Sequence, residues 1–184
     1  MPSIRLSYFD APGRAESVRV ALFLADMPFT DERLGYPDFA AKKAAGAFPL
    51  GSVPVMEIDG LVLTQTSAML RYVARAGAAD LYPNDPMQAF LVDSVLETFN
   101  DTLTNALLPS LFERDMEKKL AMRAEWSAGP LVRALDYTSS LIERSGGPFL
   151  TGAKLTIADI IVALQALQIR RGVLDGVGPE TVDR

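Results

Sequence analysis

The sequence predicts an α/β N-terminal half followed by an all-helical C-terminal half. Three observations carry that expectation. Apolar and polar residues alternate from Ser3 to Tyr8 ahead of an Ala11-Pro12-Gly13 turn, an Asp59-Gly60 dipeptide sits between two short apolar runs, and composition changes at Asp80–Pro86, beyond which only helical periodicity remains.

Taken in order, Ile4, Leu6 and Tyr8 alternate with Ser3, Arg5 and Ser7, the period of a half-buried strand. The turn after it leads into a helix-period segment from Arg14 to Ala25. Phe29–Leu34 reads as a second strand and Asp38–Ala45 as a short helix rich in Ala and Lys. Val55–Ile58 and Leu61–Thr64 flank Asp59-Gly60, which supplies the positive φ angles of a tight hairpin. Gln65-Thr66-Ser67 then precedes a helix over Ala68–Arg75, with Gly77 as its stop. The order is therefore βαβ, a weak helix, then ββα, filling residues 1–79, with 80–86 as a linker and 87–184 as the helical domain.

In that second domain Asp85 caps a helix with Pro86 at its first position. Phe90, Leu91, Val95, Leu96, Phe99, Leu103 and Leu107 recur along it at helical spacing, and Pro109 is expected to kink or end it. Glu113–Ser127 and Leu131–Arg144 read as two helices separated by Gly129-Pro130, with Gly146-Gly147-Pro148 closing the second. Thr156 and Asp159 form a hydroxyl and carboxylate pair at the start of a buried helix running to Arg171.

Composition restricts the chemistry. The chain has 184 residues, 49% of them hydrophobic, enough to bury a core. A net charge of −5 without any basic run argues against nucleic-acid partners and anionic membranes, and no long apolar stretch suggests membrane insertion or secretion, so a cytoplasmic location is expected. With 0 Cys and 0 His, disulfides, thiolate nucleophiles, His-dependent triads and the usual zinc sites are excluded, and no metal is expected.

The stretch from Leu6 to Glu16 closely resembles the first strand-to-helix segment of tyrosine-type cytosolic glutathione transferases, above all the sigma class, to which the glutathione-dependent prostaglandin D synthases are similar. Gly51-Ser52-Val53-Pro54, Asp59-Gly60 through Gln65-Thr66, and the Thr156–Asp159 cap follow in the family's order. The resemblance implies a thioredoxin-like N-terminal domain around a mixed sheet, glutathione as co-substrate, an apolar electrophile as second substrate, and a homodimer.

It also implies roles for residues. Tyr8 would donate its phenolic hydrogen to the glutathione sulfur. Arg14 would either support that hydroxyl or anchor the helix. A cis Val53-Pro54 bond would let the Val53 backbone pair with the cysteinyl part of glutathione as an added strand does. Gln65 and Thr66 would hold the γ-glutamyl carboxylate at a helix N-terminus, a role compatible with simple capping. Asp101 would reach the glutamyl ammonium across a dimer interface, the alternative being a solvated surface charge. Met69 and Arg71 would lie near the two-fold contact. Phe9, Gly13, Thr102 and Asn105 would line the electrophile pocket.

Two positions depart from the family pattern. Phe39 stands where a hydrogen-bonding Trp is common, and Ser52 where a Lys is common, so binding of the glycyl carboxylate would fall to Lys42 or Lys43 and the KM for glutathione would be raised. The family also usually continues into further helices, so the helical domain reads as truncated. The functional expectation is a transferase that activates the glutathione thiol as thiolate. A glutathione-dependent isomerase and a non-catalytic ligand-binding or structural relative are the alternatives.

Overall fold

The computed structural model describes residues 2–183. The described residues form two compact units that divide after Tyr82.

In the first unit a four-stranded mixed sheet carries the architecture. β1 (Ile4–Phe9) runs parallel to β2 (Thr30–Leu34) and antiparallel to β3 (Val55–Ile58), which pairs in turn with β4 (Leu61–Leu63), giving the order β2-β1-β3-β4. The parallel pair needs a crossover, and α1 (Glu16–Leu24), entered through a 3-10 turn at Gly13–Ala15, supplies it. The β3–β4 hairpin turns on Asp59 at φ 49° and Gly60 at φ 86°, the left-handed pair a two-residue connection requires.

Alternation along β1 sorts its side chains onto two faces. Ile4 and Leu6 are buried, and α1 packs there against α3 (Thr66–Ala76), which buries Met69, Leu70, Val73 and Ala74. On the opposite face, α2 (Tyr36–Ala44) lays Phe39 against a cluster of Leu34, Phe48 and Val55, joined by Val53 and Val62. α2 starts at Tyr36, two residues earlier than the sequence suggests, because Pro37 occupies its first turn, where a missing N–H costs nothing. α3 likewise begins at Thr66 instead of Ala68.

The second unit is helical. α4 (Pro86–Asp101) is capped by the Asp85 carboxylate, which accepts from the Gln88 N–H at 2.9 Å. It buries Val92, Val95, Leu96 and Phe99 and packs against α7 (Val132–Ser145) and α8 (Ile157–Arg170). α8 opens with a full capping box: the Thr156 N–H donates to Asp159 at 2.8 Å, and the other Asp159 oxygen takes the Leu150 N–H. Among the described residues no helix is long and apolar enough to cross a membrane.

Two expectations about this unit are corrected. Of the two outcomes expected at Pro109, a kink or an end, the end does not occur there. α4 passes into a π-helical segment, Thr102–Leu107, and the rod continues as α5 (Leu108–Phe112), with Pro109 in its first turn. Nor does Gly129-Pro130 separate two helices, because α6 (Met116–Trp126) joins α7 through a second π segment, Ser127–Leu131, that contains Pro130. In both places the wider turn shifts the hydrogen-bond ladder by one residue, which absorbs the missing proline N–H and relieves the ring's clash with the preceding carbonyl. The break lies instead at Glu113–Asp115, where Glu113 is extended and Asp115 caps α6 through the Lys118 N–H.

Candidate active site

At the C-terminal end of β1 the chain must turn away from the sheet and enter a helix within a few residues. Gly13, at φ 44°, makes that possible in two ways. Its backbone adopts a conformation that side chains disfavour, and a Cβ on it would stand 2.5 Å from the Tyr8 hydroxyl oxygen and 2.7 Å from the ring. With no side chain in the way, the half-buried Tyr8 lies against the loop, and its hydroxyl oxygen accepts the Arg14 N–H at 3.3 Å. Arg14 thus meets Tyr8 through its backbone, while its side chain is half-buried.

From Tyr8 a continuous line of contacts crosses the first unit. The Tyr8 ring meets Phe9 edge-on at 5.6 Å, and Phe9 meets Phe39 at 5.0 Å and the exposed Tyr36 at 5.3 Å. Phe39 stacks on Phe48 at 5.5 Å, and the Lys43 ammonium stands 5.7 Å from the Phe39 ring centre. Lys43 also passes Gly51, where a Cβ would lie 3.3 Å from its Cε, so its charge stands beside the Gly51–Pro54 segment. Ser52 is exposed, Val53 half-buried and Pro54 buried, and the Val53–Pro54 bond is cis. The register pairs Ser7 with Val55 in antiparallel sense, so one further step brings Pro54 alongside Tyr8.

The two lysines of α2 differ. Lys42 donates to Glu32 at 2.5 Å, and the same carboxylate accepts the Ser7 hydroxyl at 2.6 Å. The bond from Lys42 and then that from Ser7 hold the Glu32 carboxyl below its ordinary value against the opposing effect of burial. Lys42 is therefore committed to the sheet, whereas Lys43 is exposed next to Phe39.

Gln65 has φ 76° and ψ 107°, an unusual conformation for a residue with a side chain, of the kind that costs about 1–3 kcal/mol. It stands at the N-cap of α3 without making a side-chain cap, so the first N–H groups of that helix point outward with no capping oxygen from it. Thr66, the first residue of α3, is half-buried. In the second unit, Asp101 is exposed at the last position of α4, and Thr102 and Asn105 fall on the π-helical segment. Met69 is buried within α3 and Arg71 half-buried.

One residue that holds the loop after β1, Arg19 on α1, is not marked by any motif in the sequence. Arg19 is buried on the inner face of α1 and donates to the carbonyls of Ala11 and Pro12. A charge set among Ala15, Val18 and Leu22, all fully buried, is the signal that marks it.

The family model described as Glutathione S-transferase, N-terminal domain matches residues 4–75, and the one described as Glutathione S-transferase, C-terminal domain matches residues 100–176. Glutathione S-transferase 1 of Ascaris suum is 31% identical over 167 residues, covering 88% of this chain and 78% of that protein. Hematopoietic prostaglandin D synthase of Gallus gallus is 29% identical, covering 96% of this chain and 94% of that protein. Among solved structures, prostaglandin synthase D of Nilaparvata lugens superposes with a TM-score of 0.81 at 25% identity, covering 98% of this chain and 88% of that one. With a thioredoxin-like sheet domain, a helical domain and relatives of this identity and coverage, the chain belongs to the glutathione S-transferase family.

Proposed function

We propose that this protein is a glutathione transferase in which the Tyr8 hydroxyl holds the glutathione sulfur as thiolate for attack on an apolar electrophile. The observation that carries this reading is the Arg14 N–H directed at the Tyr8 oxygen. That bond uses a lone pair of the phenol and leaves its hydrogen for a sulfur. It also polarises the O–H, which strengthens it as a donor.

The chemical need is simple. A free thiol has a pKa of about 8.5, so little thiolate exists at neutral pH. Lowering that value by two units takes about 2.7 kcal/mol of preference for the anion, within the range of one charge-assisted hydrogen bond aided by nearby backbone N–H groups. The thiol proton goes to solvent. The sulfur then forms a bond to the electrophilic carbon while the leaving group departs with the displaced electron pair.

The rest of the glutathione site is part of the same proposal. Gln65, with its unusual backbone, and Thr66 at the α3 N-terminus are assigned the glutamyl carboxylate. The Val53 backbone beside Pro54 takes the cysteinyl portion. Lys43 takes the glycyl carboxylate, since Lys42 is held by Glu32, Phe39 has no donor and Ser52 only a hydroxyl. Asp101 of a second copy is assigned the glutamyl ammonium, which its exposure allows. Phe9 and Gly13 beside Tyr8 are assigned to the second substrate. We place the protein in the cytoplasm.

A second reading, glutathione-dependent isomerisation, is favoured by relatives named hematopoietic prostaglandin D synthase. It uses the same thiolate and returns the glutathione. The test is conjugation of glutathione to a small aryl halide by wild type and Tyr8→Phe. A drop approaching about 100-fold at pH well below the wild-type midpoint, matching the 2.7 kcal/mol above, is expected. Equal rates would remove Tyr8 from the mechanism, and glutathione binding without turnover in either protein would point to a binding role.

A further inference from the structure

Arg19 is held more tightly than a helix residue needs to be. Its side chain is 8% exposed. Nε donates to Asp31 on β2 at 3.0 Å, and Nη1 reaches Glu16 at 2.9 Å and the carbonyls of Ala11 and Pro12 at 3.2 and 3.3 Å. Nη2 is buried and has no hydrogen-bond partner among the described residues. The guanidinium carbon stands 6.0 Å from the centre of the Tyr8 ring.

Burying a guanidinium costs several kcal/mol of lost hydration, and an apolar side chain would satisfy the packing of α1 with no such cost. Capping α1 does not require it either, since the Glu16 N–H already takes the Pro12 carbonyl at 3.1 Å. What the planar fork does is tie the loop to the sheet, since Nη1 takes both the Ala11 and the Pro12 carbonyls while Nε holds Asp31 on β2. Those carbonyls fix the peptide planes on either side of Pro12, immediately before Gly13 and the Arg14 N–H that meets Tyr8.

We propose that Arg19 is a positioning residue for thiolate formation: it clamps the Ala11 and Pro12 carbonyls so that the Arg14 N–H stays aimed at the Tyr8 hydroxyl. The inference rests on the function proposed above for Tyr8. Arg19 touches neither glutathione nor the reacting atoms, and it acts through the loop. Asp31 and Glu16 are its anchors, and both are themselves partly exposed. The other charged groups around this loop are Arg14 itself, Asp10, which pairs with Arg33 at 3.5 Å, and Arg33, which also binds Asp31 at 2.7 Å.

The test compares wild type with Arg19→Met and Arg19→Lys in two readouts. One is the pH midpoint of thiolate absorbance for bound glutathione. The other is the affinity for S-methylglutathione, which has no thiol to ionise. The expected result is a midpoint raised by about one pH unit in Arg19→Met, a tenfold loss of thiolate below it, and a smaller rise in Arg19→Lys. S-methylglutathione affinity is expected to stay within about twofold of wild type. A merely structural arginine would lower the melting temperature and the bound fraction without moving the midpoint, and an unmoved midpoint overturns the proposal.

Should both variants fail to fold, the double variant Glu16→Gln, Asp31→Asn keeps Arg19 and releases its anchors. Its midpoint must rise as well, and an unchanged one overturns the proposal equally. If bound glutathione in wild type gives no thiolate at any pH below that of the free thiol, it is the assignment of Tyr8 that fails, which separates the two outcomes.

Discussion

The Arg14 N–H donates to the Tyr8 hydroxyl oxygen at 3.3 Å across a glycine that leaves room for nothing larger. That pairing ties the end of β1 to the start of the 3-10 turn that leads into α1, and it sets the direction in which the phenol offers its hydrogen.

Gly13→Ala is expected to disturb this pairing twice over. The new methyl would collide with the Tyr8 hydroxyl and ring, and φ 44° is unfavourable for alanine. Stability is expected to fall by about 1–3 kcal/mol in denaturant titrations and kcat by at least about tenfold as Tyr8 is displaced. A variant with wild-type kcat would show that the Tyr8 position tolerates movement.

The neighbouring lysines should separate in mutagenesis. Lys43→Ala is expected to raise the KM for glutathione severalfold with little change in melting temperature. Lys42→Ala should leave KM alone and cost stability, by about 0.5–1 kcal/mol, since its bond to Glu32 is partly exposed. Because Phe39 has no donor and Ser52 only a hydroxyl, wild type itself should have a raised KM for glutathione. Steady-state kinetics checks all three statements, and a wild-type KM in the low micromolar range would contradict the last.

Glu32 should give the protein an acid-sensitive contribution. Its folded carboxyl titrates below its unfolded value, chiefly through Lys42 and then Ser7, so folding favours the ionised form. The stabilisation is complete above the unfolded value, about 4.3, and is lost as pH falls through the lower folded value. Glu32→Gln should therefore lower stability at neutral pH, by about 1 kcal/mol, and narrow the gap from wild type in strong acid. Melting temperatures against pH for both proteins test this, and parallel curves would count against it.

Much of this arrangement is legible in the sequence because short-range rules govern it. The strand at Ile4–Phe9, the Asp59-Gly60 hairpin, the Asp85-Pro86 cap and the Thr156–Asp159 box each follow from a few adjacent residues. The Pro109 and Pro130 positions misled for a physical reason. A proline ends an α-helix only when the ladder cannot widen, and both π segments widen it under tertiary packing that no local pattern reveals. The difference between Lys42 and Lys43 depends on Glu32, which adjoins α2 only once β2 lies parallel to β1. Arg19 was hidden similarly, since its partners at Ala11, Pro12 and Asp31 come together only after the loop closes over α1.

The Tyr8 hydroxyl is the centre of the proposed chemistry, and the pH dependence of kcat/KM for aryl halide conjugation tests its role most directly. In wild type the midpoint should lie about two pH units below the value of about 8.5 for a free thiol, and in Tyr8→Phe it should return to that value. A Tyr8→Phe profile superimposable on that of wild type would contradict the account.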